Sequence, residues 1–404
     1  CILVVAVCGF SLSGACAGEP DATKNHQPDI NPPAQVDEAT GMILPDATLT
    51  PRLEKWMDMS YGGMVCFGMN TFTRTEQVPV PPPVATYNPP ASLAKNVETW
   101  AKTYKDAGMT YAVMLSQHTS GFCLWDSKVM FHGKEWSYDV GAASNKTDVV
   151  DVFVKSCKKY GVEPGLYYCL MESYGDPTVR NPAGMAGFTW LNHVLPDDVF
   201  AMALGQIGEL ADNYPDNRFF WIDIPQDASR KQLAEIYTML RKRNPRNVIQ
   251  FNSHYGWDRN NQIPKPAPGT PLMEAYIYDW PCDFLNSEAQ YCFGTSKLDQ
   301  IQKYHGKTLV VGYEHNETIG KDIWFTQPTL RSLDELMRIY AAARGRMPYG
   351  SRFLLNVGAD ADGSLDPTAA ALLMQLKPRI EAFDKELGET VKASKANLVQ
   401  RVAR

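Results

Sequence analysis

Several signatures are missing from these 404 residues, and each absence removes a class of function. Neither G-x-G-x-x-G nor G-x-x-x-x-G-K-[S/T] occurs, so no glycine-rich loop is available to cradle a dinucleotide or a nucleoside triphosphate. The seven histidines form no H-x-x-H or H-E-x-x-H group, and the cysteines beyond Cys16 lack zinc-ligand spacing. No metal or organic cofactor is therefore expected. Net charge is −6, and no Lys/Arg cluster is dense enough to follow a phosphate backbone, which argues against nucleic acid as a partner. No repeat appears at a solenoid or propeller period, and no membrane span is expected.

The chain opens Cys1-Ile-Leu-Val-Val-Ala-Val7 without a methionine, so a preceding segment is expected. Residues 1–12 are too short to span a bilayer but suit the apolar core of a secretory signal, and Ala15-Cys16-Ala17 supplies a small-x-small cleavage pattern after Ala17. In a second reading Cys16, preceded by Ser-Gly-Ala, is a lipidated N-terminus. Ser13 stands where a larger aliphatic residue is preferred, which ranks that reading second. Both predict export, to a periplasm or beyond. After export Cys282 and Cys292 can bridge, while Cys157 and Cys169 are expected to be buried free thiols. Residues 18–51, rich in Pro, Asp, Thr and Asn, read as a linker, and 389–404 as a basic tail.

Between these ends, short β-rich runs alternate with amphipathic helices. The strand-like runs are Met64–Met69, Tyr111–Ser116, Pro164–Cys169, Arg218–Asp223, Asn247–Asn252, Leu272–Tyr278, Thr308–Tyr313 and Phe353–Gly358. Apolar stripes such as Leu93, Val97, Trp100 and Tyr104 mark the helices; Ser332-x-x-Glu335 is a capping box, and Asp366-Pro367 an N-cap with proline at the first helical position. Strand and helix in alternation demand a parallel sheet, and eight strands close a (β/α)8, TIM-like barrel over residues 52–388, a single catalytic domain with some irregularity after Asn252. An open doubly wound sheet is disfavoured by the missing phosphate loop.

Function is sought at the C-terminal ends of the strands. Arg218-Phe-Phe-Trp-Ile-Asp-Ile-Pro225 is apolar enough to be buried on both faces, and Pro225 ends the ladder, so Asp223 should stand at the barrel mouth. An aspartate there can also simply cap the next helix. Other polar groups follow other strands: Asn70 and Glu76 the first, His118, Thr119 and Trp125 the second, Tyr167, Tyr168 and Glu172 the third, and Glu314 the seventh. Asp223 and Glu314 would face each other across the mouth, and hydrolysis of a glycosidic bond needs such a pair. Glu274 is the rival acid, and Tyr167 the fallback for Tyr168 if the strand register differs by one. His118 and Trp125, taken alone, read equally as structural groups.

These blocks resemble the family 29 α-L-fucosidases. Tyr61-Gly-Gly-Met-Val-Cys-Phe-Gly-Met-Asn-Thr-Phe72 is similar to that family's first-strand motif, and Asp106–Val113 with Gly121–Lys128 to its second strand and following loop. Trp221-Ile-Asp223 resembles its nucleophile motif, Tyr313-Glu-His-Asn-Glu-Thr-Ile319 the segment bearing its acid/base, and Phe353–Gly363 its last-strand signature. The resemblance runs in order over residues 52–388. It implies a retaining exo-glycosidase acting on α-L-fucosyl-type residues of glycans, with Asp223 as nucleophile and Glu314 as acid/base. It also implies that Cys66, Asn70, Glu76, His118, Thr119, Trp125 and Tyr168 line the sugar site. The family's first-strand histidine is Cys66 here, and Thr119 replaces one of its paired histidines. Each exchange removes an imidazole hydrogen bond of about 0.5–1.5 kcal/mol, so an altered sugar preference is expected, with a non-catalytic glycan-binding relative as the alternative.

Overall fold

The computed structural model describes residues 33–76, 81–170, 195–225, 228–252, 280–288, 298–321, 324–325 and 328–403. The apolar leader, Cys16, Glu172, Glu274 and Cys292 lie outside the described residues, as does the expected strand Leu272–Tyr278.

Eight strands form one parallel sheet: β1 Tyr61–Val65, β2 Tyr111–Gln117, β3 Glu163–Cys169, β4 Phe219–Asp223, β5 Val248–Phe251, β6 Phe284–Glu288, β7 Gly312–Thr318 and β8 Ser351–Asn356. Their lateral order is β5-β4-β3-β2-β1-β8-β7-β6, the order of the chain rolled into a ring. The edges β5 and β6 meet through Asp283, whose backbone N donates to Ile249 O at 2.9 Å while its carboxylate accepts from Ile249 N at 2.9 Å. The expected (β/α)8 barrel is therefore present and nearly closed.

One expected strand falls elsewhere, and one described strand was not expected. The sixth described strand is Phe284–Glu288. The apolar run Thr308–Tyr313 mostly forms the return arm, Lys307–Val310, of an antiparallel hairpin with Ile301–Tyr304, and the barrel strand starts only at Gly312. This moves Glu314 from beyond a strand to inside one.

Alternation along each strand divides the side chains between two cores. Phe220, Ile222, Ile249, Leu285, Tyr313 and Phe353 face outward into the layer under the helices. Met64, Val113, Tyr167, Phe219, Trp221, Val248, Phe284 and Leu354 fill the barrel. A Cβ at Gly62 would lie 2.3 Å from the Tyr111 ring, so only glycine leaves room for that inward tyrosine. The helices follow their sequence signals. Leu93, Val97, Trp100 and Tyr104 are fully buried, and the Asp148 carboxylate caps Val149–Tyr160 by accepting from Asp151 N. The Ser332/Glu335 box opens Leu333–Arg346.

At the strands' N-terminal face, buried Arg52 donates to Asp46 and Asp283, both at 2.8 Å, and Arg241 lies 3.2 Å from Asp46. These pairs pin residues 33–50 to the barrel, so this part of the expected linker packs against the domain. The expected boundary at residue 388 falls inside one helix, Pro367–Val402, and Leu398 near its end is buried. Residues 389–402 thus continue that helix rather than forming a separate tail. Among the described residues no helix is long and apolar enough to cross a membrane.

Candidate active site

Asp223 ends β4 and faces the barrel axis, because Phe219 and Trp221, four and two positions earlier, do so. The next residue, Ile224, has φ +53°, a left-handed conformation that β-branched residues rarely adopt. That sharp turn lets Ile224 N donate to Asp223 Oδ1 at 2.9 Å. Asn252 Nδ2, just past β5, donates to the same oxygen at 2.7 Å, and the Tyr167 hydroxyl from β3 donates to Oδ2. Three donors converge on one carboxylate and favour its charged form.

The Asn252 nitrogen also donates to Glu288 Oε2 at 3.0 Å. Glu288 is the last residue of β6, so two carboxyl groups at the ends of the strands on either side of β5 share one amide. Burial, and then the negative charge of Asp223, push Glu288 up to about 8. A third carboxyl, Glu76, accepts from Trp324 N at 2.9 Å and is pushed up to about 7, chiefly by burial and also by Asp223. Cys66, past the end of β1, is buried, and burial together with these three acids keeps its thiol protonated. The His118 ring stacks on Tyr167 with centroids 5.7 Å apart and meets Phe325 edge-on at 5.0 Å. Burial pushes its imidazole down to about 3, so it is neutral, and its Nδ1 has no partner among the described residues.

Asn70 and Thr119 sit behind this surface. Asn70 Nδ2 donates to Glu76 O at 2.9 Å and to Thr119 Oγ1 at 3.3 Å, which holds the Glu76 segment in place. Asp223, Cys66, Glu76 and His118 are therefore gathered at one mouth, with Asn70 and Thr119 supporting them.

Three expected site residues are elsewhere. Trp125 is 1% exposed, with Nε1 donating to Glu209 Oε2 at 3.0 Å under the helix Asp197–Asn213. Tyr168 points outward to Gln206, 2.8 Å away, because alternation along β3 turns Tyr167 inward instead. Glu314 is fully buried in the middle of the barrel. Its carboxylate accepts from Trp221 Nε1 and Gln250 Nε2 at 2.8 Å and from Tyr111 OH at 2.9 Å, and Arg352 Nε lies 2.7 Å away. With four donors around it and the strand-end residues above it, Glu314 has no path to a substrate oxygen. Sequence reasoning missed Glu288 and Asn252. The usable signal was Phe284-Leu-Asn-Ser-Glu288, a short run ending in an acid as Phe219–Asp223 does.

The raised acids have a consequence for stability. Glu288 and Glu76 bind protons in the folded state up to about 8 and about 7, from an ordinary value of 4.5, and Asp139 is raised by burial to about 6 from 3.8. The folded state thus holds more protons than the unfolded chain between pH 4 and 8, so stability falls as pH rises through that window. Thermal melts from pH 5 to 8.5 should show Tm declining by several degrees, and Glu288→Gln with Glu76→Gln should flatten the slope. A Tm that rises with pH would mean these acids are ionised in the fold.

A parallel eight-stranded barrel with acidic side chains gathered at its C-terminal mouth defines the class: a barrel of the glycoside hydrolase type. The sequence profile of the α-L-fucosidase family matches residues 94–378, and the chain belongs to that family. It is 28% identical over 116 residues to α-L-fucosidase 1 of Arabidopsis thaliana, a stretch that covers 28% of this chain and 21% of the plant protein. The fold is similar to that of a family 29 α-L-fucosidase from Bacteroides thetaiotaomicron, with a TM-score of 0.60 and 18% identity over 87% of this chain and 77% of that one. It is also similar to an α-L-fucosidase from Lactobacillus casei solved with α-L-fucose product. There the TM-score is 0.60 and the identity 22%, over 83% of this chain and 100% of that one.

Proposed function

We propose that the protein is a retaining exo-glycosidase that removes α-L-fucosyl-type residues from glycans, with Asp223 as nucleophile and Glu288 as acid/base. The observation that carries this reading is the shared Asn252 amide. One nitrogen reaches Asp223 at 2.7 Å and Glu288 at 3.0 Å, so those two oxygens can be no farther apart than the sum of these distances. That limit suits the roughly 5–5.5 Å of a retaining pair and falls short of the ~6.5–9.5 Å that an inverting pair needs for its water.

Protonation states support the same roles. Asp223, held by three donors to its charged form, attacks the anomeric carbon as the glycosidic C–O bond breaks. Glu288, protonated at neutral pH, passes its proton to the departing oxygen. Esterification of Asp223 removes the negative charge that helps to raise Glu288, so its acidity increases when it must act as base. The Glu288 carboxylate then takes a proton from water. The resulting hydroxide equivalent attacks the anomeric carbon and releases Asp223, and two inversions give net retention. Neutral His118 and protonated Cys66 offer hydrogen bonds to sugar hydroxyls without adding charge beside the reacting centre. The apolar leader supports export of this activity.

An aryl α-L-fucoside tests the proposal. The first sugar released, followed by proton NMR before mutarotation, should be the α anomer. The ratio kcat/KM should fall as pH rises through about 8, because the general acid is then ionised. A first-formed β anomer would remove the retaining assignment, and absence of turnover would favour a glycan-binding role.

A further inference from the structure

The ring of strands is open at one seam. β5 and β6 are the two ends of the sheet order, and no ladder joins them among the described residues. At the mouth, Asn252 Nδ2 crosses the seam to Glu288 Oε2 at 3.0 Å. At the opposite face Asp283 crosses it. Its carboxylate stands in for a backbone carbonyl by accepting from Ile249 N at 2.9 Å, and its own N donates to Ile249 O at 2.9 Å.

Arg52 holds that carboxylate in place. Its Nη1 donates to Asp283 Oδ2 and to Asn247 O, both at 2.9 Å, and its Nη2 donates to Asp283 Oδ1 at 2.8 Å. Asn247 directly precedes β5 and Asp283 directly precedes β6, so one guanidinium bridges both strand starts. Arg52 lies in the helix Pro51–Met57, outside the barrel, and is 4% exposed. The fork is fixed in turn by Asp46, which accepts from Nε at 2.8 Å, and the carboxylate by Tyr237 OH at 2.7 Å. A planar fork on a carboxylate gives a defined geometry that a point charge does not.

The two sides of the seam are anchored differently. Asn252 N donates to Ile222 O at 2.8 Å, which ties Asn252 to β4 and so to Asp223. β6 is laddered to β7 alone. An extended strand carries a displacement along its length, so the placement of Asp283 sets that of Glu288, roughly 17 Å farther on at ~3.3 Å per residue. A slip of about 1 Å is enough to break the Asn252–Glu288 contact and misplace the transferred proton.

We propose that Arg52 is a positioning residue for catalysis, setting Glu288 against Asp223 by bridging the starts of β5 and β6. The inference rests on the acid/base role given to Glu288 above.

Arg52→Lys tests it, because an ammonium keeps the charge but lacks the fork that spans Asn247 O and both Asp283 oxygens. On a fucoside with a poor leaving group kcat/KM should fall about 10- to 100-fold, and on a dinitrophenyl fucoside less than about threefold. Asp283→Asn should show the same dependence. It keeps one acceptor oxygen and leaves Arg52 its Asp46 partner, so it serves if Arg52→Lys does not fold. Arg344→Lys is the control. It disturbs another buried guanidinium, paired with Asp384 at 3.3 Å, and should lower the melt without changing the ratio between the two substrates. Equal loss on both substrates in the seam variants, or a lower Tm with wild-type kinetics, overturns the proposal. A crystal structure of either seam variant reads the same point without activity. The Asn252 Nδ2 to Glu288 Oε2 separation should widen from 3.0 Å beyond hydrogen-bond distance, and an unchanged separation overturns the proposal. If Glu288→Ala itself shows no dependence on the leaving group, the catalytic reading has failed, and this separation alone decides whether Arg52 sets the seam.

Discussion

Exchange of Asp223 for glycine should lower kcat/KM on an aryl α-L-fucoside by on the order of 10⁴-fold, as loss of a covalent nucleophile does elsewhere. The fold should persist. Asp223 stands at a strand end facing the mouth, so its removal opens no cavity in either core. Asn252 keeps Glu288 as a partner, and the Tyr167 hydroxyl can turn to water. Melting should therefore shift by only a few degrees. Azide offers a second readout. Placed in the space left by the carboxylate, it attacks the anomeric carbon from the nucleophile's side and yields a glycosyl azide of inverted configuration. The variant should also titrate differently, because Glu288 loses the negative neighbour that helps to raise it. Activity that survives the exchange, or a loss accompanied by unfolding, would take the nucleophile role away from Asp223.

Which parts of this site were legible in the sequence depends on what each strand buries. Arg218–Asp223 is apolar on both faces and is followed by a proline, so strand, mouth and candidate aspartate could all be located. Gly312–Thr318 is not apolar. Its inward positions carry Glu314 and Asn316, which are satisfied inside the barrel by Arg352 and by Asn286 Nδ2 at 3.0 Å. A strand whose interior is an ion pair does not look like a strand, and the apolar arm of the hairpin before it does. The register therefore slipped toward Thr308, and Glu314 was read as lying past the strand end. Glu288 was hidden for the complementary reason: Phe284–Glu288 is only five residues long, and Asn286 and Ser287 break its apolar start. Tyr167 and Tyr168 show the limit of register from sequence, since adjacent tyrosines face opposite sides and only pairing with β2 and β4 decides which enters the barrel. The N-terminal blocks were easier. Glu76 and His118 follow the first two strands as expected, although β1 runs Tyr61–Val65 rather than Met64–Met69 and so leaves Cys66 past its end instead of inside it.

The two glutamates now predict opposite phenotypes. Glu288→Ala should cost about 10²–10⁴-fold on a fucoside with a poor leaving group, where protonation is needed, and far less on a dinitrophenyl fucoside, where it is not. Azide should accelerate the second step of that variant and give a product of retained configuration. The fall in activity near pH 8 should disappear with the acid that causes it. Stability should hold or rise, because a costly buried acid has been removed. Glu314→Ala removes the partner of a guanidinium that is fully buried and packed on Phe284, 3.8 Å from the ring centroid, and on Phe219 at 4.3 Å. Leaving Arg352 unpaired there should cost about 3–5 kcal/mol, since the interior offers no water to replace the carboxylate. The loss should appear in the melt and in the yield of folded protein. Whatever folds should lose activity equally on good and poor leaving groups and ignore azide. Pairing Glu314→Leu with Arg352→Met separates a structural role from a chemical one. Removing both charges replaces an ion pair by apolar contacts, which is often neutral, so the double variant should regain most of the melting temperature and keep turnover. If the double variant folds but cannot turn over a poor leaving group while Glu288→Ala still can, the acid/base role returns to Glu314.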